Sequence, residues 1–173
     1  MIGRNMIKMD ALKQMYQDLG YKNIQTYIQS GNVIFQSRSN NAGNIEKKIS
    51  RKILESCKFH VTVIVMETSE MKEIFRNNPY VNRKSDDMAK RFITFLSEKP
   101  LKENLEKING GDYKPDEFTI INRAVYVFCP DGYARTKLYT NFFEKRLKVK
   151  ATSRNLNTIN NLVLMADEIK SKK

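Results

Sequence analysis

The order of its periodic segments limits the fold of this chain more than any other feature of the sequence. From residue 90 onward, short stretches typical of strands are interleaved with stretches whose apolar residues recur at helical spacing. They predict a strand, a helix, two strands, a helix, a short strand and a final helix, over residues 90–97, 101–108, 117–121, 124–129, 136–147, 149–152 and 156–169. The order β-α-β-β-α-β is the split βαβ, or ferredoxin-like, pattern.

The first part of the chain carries a shortened copy of the same order. The patterns predict a helix, a hairpin, a helix and a strand, over residues 10–19, 24–36, 45–53 and 59–66. The strand that would open this half, in the middle of its sheet, is not found. We expect that the chain starts after that strand; a strand supplied by another chain and a rearranged half are the alternatives.

We therefore predict an α+β fold made of two ferredoxin-like (alpha-beta plait) halves, the first lacking its opening strand, plus a C-terminal helix. The predicted boundaries are residues 1–67 for the first half, 68–89 for a connector helix and loop, and 90–173 for the second half with the C-terminal helix.

The hairpin of the first half lies in the stretch TYIQSGNVIF, residues 26–35. Gly31-Asn32 fits a two-residue type II′ loop, in which glycine takes the positive φ. That loop would pair Gln29 with Ile34 and direct Ile28 toward the core. Tyr27 and Gln29 would then lie with Ile34 on the face turned away from the helices.

Charge is the unusual bulk property, because 31 basic residues stand against 19 acidic ones for a net charge of +12. Residues 135–154 hold seven basic residues and only Glu144 as an acid. Such a balance favours a polyanion or a phosphorylated ligand, nucleic acid included, as the partner. No apolar run is long enough to cross a bilayer, and no secretion signal opens the chain, so a cytoplasmic protein without membrane association is expected.

Several stretches resemble the bacterial domain-of-unknown-function family sixteen-ninety-seven. They are GRNMIKMDALKQMYQDLGY, NIQTYIQSGNVIFQS, KRFITFLSEKP and RAVYVFCPDGYARTKLYTNFFEKRLKVKATSRNLNT, which together cover nearly the whole chain. The resemblance implies two consecutive ferredoxin-like domains and no known activity. Leu156 departs from the family pattern, which commonly has tryptophan after the Arg-Asn pair.

Two basic stretches each precede a predicted helix and are candidate anion sites. Arg135 and Lys137 would sit at the start of the helix over 136–147, where free N–H groups favour phosphate. In TSRNLNT, Arg154 beside Asn155 and Asn157 could hold a carboxylate or phosphate. The competing explanations are plain helix capping and hydrogen bonds between domains.

The open sheet faces are candidate nucleic-acid surfaces. Tyr27 and Gln29 would present an aromatic ring and an amide in the first half, and Tyr126 and Phe128 would occupy the comparable face in the second half. Neither half carries the aromatic-glycine signature of RNA-recognition modules, and a covering domain would equally explain these residues.

The best hypothesis is a protein that binds a polyanionic or phosphorylated ligand, with these side chains at the site: Arg4, Lys8, Tyr27, Gln29, Arg135, Lys137, Arg154, Asn155 and Asn157. The alternatives are a small-molecule enzyme acting in the groove between the halves and a protein-interaction module, which leaves a homo-oligomer open. Enzymatic activity stays undecided because no catalytic constellation is recognisable. No metal site and no cofactor are predicted, since the chain has only two cysteines and one histidine.

Overall fold

The computed structural model describes residues 6–81 and 88–171, which form two compact units. The first unit contains residues 1–68 and 162–173, and the second contains residues 69–161. The sequence predicts that the whole C-terminal helix belongs to the second half. In the structure, the part of that helix from Leu162 onward belongs to the first unit. The reason is a buried stripe at helical spacing, formed by Leu162, Ala166 and Ile169.

In the second unit a four-stranded antiparallel sheet carries two helices on one face. Its strands are β3 (Arg91–Leu96), β4 (Glu117–Ile121), β5 (Ala124–Phe128) and β6 (Ala151–Asn155), and its helices are α4 (Lys102–Asn109) and α5 (Thr140–Leu147). The strand order is β4-β5-β3-β6, with β3 antiparallel to both of its neighbours. This is the ferredoxin-like arrangement that the sequence predicts.

The core of the second unit lies between this sheet and its two helices. Phe143 is fully buried and its ring makes edge contacts with Phe118 and Phe142 at centroid distances of 5.7 and 5.3 Å. The alternate residues Val125 and Val127 of β5 belong to the same buried cluster. Strand periodicity therefore directs one residue in two toward the helices.

The first unit has helices α1 (Met9–Asp18) and α2 (Ala42–Cys57) and a two-stranded hairpin of β1 (Lys22–Tyr27) and β2 (Asn32–Gln36). Ile45, Ile49 and Ile53 lie on the buried face of α2, as their spacing predicts. They pack with residues of α1 and β1 in one buried cluster. Two helices contain residues of both units. Only the first residue of α3 (Thr68–Arg76) is in the first unit, and the first residues of α6 (Leu156–Ser171) are in the second unit.

The hairpin register differs from the prediction. Tyr27 pairs with Asn32, so the connection is the loop 28–31 and Asn32 is already a strand residue. Asn32 is buried, and its amide donates to the Tyr27 carbonyl at 3.2 Å and to Ser30 Oγ at 2.7 Å. These two bonds stabilise the longer loop, and the predicted pair of Gln29 with Ile34 is wrong. Ile28 accordingly lies exposed in the loop rather than in the core.

The segment 59–66 is predicted as a strand but belongs to no sheet in the described part of the chain. Val61, Val63 and Val65 still pack on the buried cluster of the first unit, so the predicted inward alternation is present. A strand needs a hydrogen-bonded neighbour. The counterpart of residues 59–66 in the second unit is β6, and its hydrogen-bonded neighbour is β3. The described residues of the first unit contain no equivalent of β3.

Two further boundaries differ in the second unit. The helix predicted to start at Thr136 starts at Thr140, after a single 3₁₀ turn over Tyr133–Arg135. The Thr136 hydroxyl accepts a hydrogen bond from the Leu138 amide at 2.9 Å, which holds this stretch in a turn instead of a helix. The last strand is Ala151–Asn155 rather than 149–152.

Candidate functional site

A cleft of about 380 Å³ in the first unit is the candidate site. It lies beside the hairpin and is completed by the C-terminal helix and by the first residue of α3. Its lining residues are Gly20, Lys22, Ile34, Phe35, Gln36, Ser37, Arg38, Thr68, Ala166 and Ile169. The lining combines apolar side chains with a few polar ones, which is the usual composition of a ligand site.

The charged groups of this cleft are both cations. Lys22 and Arg38 are exposed side chains, and the ten lining residues include no carboxylate. Ser37 and Thr68 add hydroxyl groups. The cleft therefore offers an anion two positive charges with hydrogen-bond donors beside them.

Strand pairing explains why these residues meet. Lys22 begins β1 and pairs with Gln36 at the end of β2, which brings residues 36–38 to the same end of the hairpin. The Gln36 side chain accepts a hydrogen bond from Asn23 Nδ2 at 2.6 Å. Ala166 and Ile169 come from a helix more than a hundred residues away in the chain. Neither Lys22 nor Arg38 is among the site residues predicted from the sequence, where a cation in a polar loop such as Arg38 is the one available signal.

The predicted site residues of the first unit that the structure describes do not line this cleft. Arg4 falls outside the described residues, and Lys8 is an exposed residue at the start of α1. Tyr27 is half-buried at the end of β1, whereas Gln29 is exposed in the hairpin loop. Tyr27 and Gln29 are thus not neighbours on one sheet face as predicted.

Arg135 and Lys137 are exposed residues of the second unit, but they precede α5 by several positions and do not occupy its N-terminus. Between them, the Thr136 hydroxyl donates to Asp116 Oδ2 at 2.6 Å. The two cations therefore lie at a turn ahead of α5 instead of at its first residues, and their role in anion binding stays a prediction.

Arg154, Asn155 and Asn157 have three different environments. The guanidinium of Arg154 donates to Thr152 Oγ1 at 2.7 Å and to the Ser153 carbonyl at 2.8 Å, and burial lowers its pKa. Asn155 caps α6 by accepting from the Thr158 amide at 2.8 Å. Asn157 is exposed in the first turn of that helix. Capping accounts for Asn155, while the roles of Arg154 and Asn157 stay predictions.

The aromatic face predicted for nucleic acid in the second unit is covered. Tyr126 is buried and donates its hydroxyl hydrogen to the Ile74 carbonyl of α3 at 3.0 Å. The Tyr80 ring stacks near Phe128 at a centroid distance of 6.2 Å, and its hydroxyl is 2.9 Å from Thr119 Oγ1. Residues of the connector therefore occupy the surface on which bases would stack.

A buried row of hydroxyl groups crosses from the sheet to α5 in the second unit. Ser153 Oγ lies 2.6 Å from Thr94 Oγ1 and 2.7 Å from Thr140 Oγ1. Thr94 is fully buried, so the row satisfies polar groups inside the protein. The hydroxyl of Ser153 in TSRNLNT is thus engaged in packing the sheet against the helix.

The residues that the structure describes contain no group of three or more His, Cys, Asp or Glu side chains suited to a metal ion. Cys129 is fully buried, and this burial raises the pKa of its thiol to about 11, with the nearby Asp116 carboxylate acting in the same direction. The thiolate is the reactive form of cysteine. Cys129 is therefore unsuited to be a nucleophile.

We expect Cys129 to resist alkylation in the native protein. At pH 8 the half-buried Cys57 should react with iodoacetamide, whereas Cys129 should react at least a hundredfold more slowly and at the normal rate once unfolded. Peptide mass spectrometry after timed labelling measures both rates, and Cys57→Ser isolates the slow site. Equal rates for the two cysteines in the folded chain would contradict the assignment.

None of the helices among the described residues is long and apolar enough to pass through a membrane.

Comparison with known proteins gives a family match and likenesses to solved structures. The model of a family described as "Protein of unknown function (DUF1697)" matches residues 1–126. A solved structure of the conserved bacterial protein SP0830 from Streptococcus pneumoniae is similar, with a TM-score of 0.74 and 21% identity over 95% of this chain and 92% of that chain. At that identity the likeness establishes the fold alone. No curated protein matches the chain.

Proposed function

Since the chain belongs to the family described as "Protein of unknown function (DUF1697)", which names no activity, we propose a function from the candidate cleft itself. The protein binds a phosphorylated or polyanionic ligand in the cleft of the first unit. The observation that carries this proposal is the pair of cations, Lys22 and Arg38, in a lining without any carboxylate.

The net charge of +12 supports the same kind of ligand. A positive surface raises the local concentration of anions and accelerates their encounter with the protein. The exposed Arg135 and Lys137 of the second unit add to this field without forming a pocket of their own. A nucleic-acid ligand would therefore be held through its phosphates, because Tyr126 is buried and cannot stack on a base.

The cell compartment is a second part of the proposal. Cys57 and Cys129 are both free thiols in the structure. Free cysteines fit the reducing cytoplasm, where disulfides are rare. We accordingly place the binding activity in the cytoplasm.

The experiment is a binding titration with two probes, a labelled single-stranded RNA 20-mer and inorganic pyrophosphate as its competitor. We expect binding at 50 mM salt that weakens steeply as salt rises. The double variant Lys22→Gln/Arg38→Gln should bind the RNA roughly tenfold more weakly and lower the salt slope by about 1.4, since each lost phosphate contact on a single strand removes about 0.7.

The matched control is Lys13→Gln/Lys47→Gln, which removes the same charge from exposed positions of α1 and α2 outside the cleft. It should retain more than half of the affinity. Displacement of the RNA by pyrophosphate would identify a phosphate ligand as the common chemistry. Equal losses in the two variants, or no binding of either probe at 50 mM salt, would refute the proposal.

A further inference from the structure

One surface of the second unit carries several cations around a single exposed aromatic ring. The side chains concerned, here called the basic strip, are Arg135, Lys137, Tyr139, Lys145 and Lys148. All of them are exposed, and Tyr139 keeps 46% of its surface accessible. Their neighbours Leu138, Phe143 and Leu147 are buried in the core of the unit, so the strip lies on the solvent side of α5 and of the turn before it.

Negative charge is nearly missing from this surface. Between residues 132 and 154 the sequence holds one acid, Glu144. Its carboxylate is already engaged, because Oε1 accepts a hydrogen bond from the Ala151 amide at 2.9 Å. The ion pairs between residues that the structure describes involve none of the four cations of the strip. Their positive charges are therefore available to a partner.

The turn that carries the first half of the strip is held in a fixed shape. The ring of Tyr133 packs on Phe92 of β3 at a centroid distance of 4.2 Å. The Thr136 hydroxyl donates to Asp116 Oδ2 at 2.6 Å, and Leu138 is fully buried. Side chains on such a turn lose little backbone freedom when they bind, which favours affinity.

We propose that the basic strip binds single-stranded nucleic acid. The four cations contact its phosphates, and an unpaired base stacks on the ring of Tyr139. Tyr139 takes the part that the sequence analysis gave to Tyr126, which is buried. The strip lies in the second unit and shares no residue with the cleft of the first, so this proposal does not rest on the proposed function.

The exposed ring favours a single strand over a duplex. Bases in a duplex are stacked on one another, whereas those of a single strand can turn out and stack on an aromatic side chain. An anionic membrane surface fits the strip less well. A helix that lies in a membrane interface needs an apolar face turned outward, but Phe143 and Leu147 of α5 are both in the core.

The test is carried out in the full chain with Lys22→Gln/Arg38→Gln, so that RNA binding which remains is assigned to the strip. The probe is the labelled single-stranded RNA 20-mer, and its duplex is measured beside it. Arg135→Gln/Lys137→Gln is added to remove two charges of the strip. The matched control, Lys102→Gln/Lys107→Gln, removes the same charge from exposed positions of α4 in the same unit.

We expect Arg135→Gln/Lys137→Gln to weaken binding roughly tenfold at 50 mM salt and to lower the salt slope by about 1.4. The α4 control should keep more than half of the affinity. Tyr139→Ala should weaken binding of the single strand about tenfold without changing the salt slope, and Tyr139→Phe should restore it to within twofold, since stacking needs only the ring. The duplex should bind more weakly than the single strand.

The proposal is overturned if the two double variants lose equal affinity, if Tyr139→Ala leaves binding unchanged, or if the duplex binds as tightly as the single strand. It is also overturned if no RNA binding remains after Lys22→Gln/Arg38→Gln, or if Arg135→Gln/Lys137→Gln abolishes binding to phosphatidylglycerol vesicles and not to RNA. Failure of the cleft has a different signature, because Lys22→Gln/Arg38→Gln would then leave RNA binding at its full strength.

Discussion

Replacing Phe143 with alanine is expected to lower the free energy of unfolding of the second unit by about 3–5 kcal/mol. The side chain is fully buried and packs on Phe118 and Phe142 between α5 and the sheet. Truncation removes the transfer free energy of the ring and leaves a cavity that rigid neighbours fill only in part. A loss of this size is a large fraction of the stability of an ordinary domain.

Urea denaturation followed by circular dichroism measures this effect, and Lys145→Ala serves as the control. Lys145 is exposed on the same helix, so its truncation should change the free energy of unfolding by no more than about 0.5 kcal/mol. A loss below 1 kcal/mol for Phe143→Ala would mean that the ring does not occupy the core between α5 and the sheet.

Replacing Ile49 with alanine is expected to lower the free energy of unfolding of the first unit by about 2–5 kcal/mol. Ile49 is 1% exposed and lies on α2 at the centre of the buried cluster of that unit. The two units have separate clusters, so the effect should be local. Hydrogen exchange should speed up in α1, β1, β2 and α2, while β3–β6 should keep their protection.

Lys48→Ala is the control for this second variant, because Lys48 is the exposed neighbour of Ile49 on the same helix. Its exchange pattern should match that of the unmodified chain. Faster exchange spread evenly over β3–β6 in Ile49→Ala would show that the two units unfold as one.

Elements with strong periodicity were predictable. The isoleucine stripe of α2 and the valine alternation of 59–66 both lie on the core side, because burial of a periodic apolar face does not depend on its partner. The type and order of elements in the second unit, and with them the ferredoxin-like sheet, followed from the same patterns.

Two predicted boundaries are wrong because polar side chains form hydrogen bonds that the sequence pattern does not show. Asn32 looked like a turn residue but is a buried strand residue whose amide closes the loop 28–31. Thr136 looked like a first helical residue but bonds to Asp116 and to the Leu138 amide. In both cases a polar side chain has several hydrogen-bond partners within reach, and the periodic pattern does not show which of them it takes.

The sequence by itself determined the fold class, the positive charge and the faces that each helix and strand buries, since these depend on periodicity and composition. Only the tertiary structure decided that the helix residues Leu162, Ala166 and Ile169 belong to the first unit. It likewise decided that Lys22 and Arg38 line one cleft. It also decided that residues 59–66 join no sheet within the described ranges 6–81 and 88–171. The physical reason is that a periodic pattern records which face is buried, whereas the identity of the covering element is settled by long-range packing and pairing.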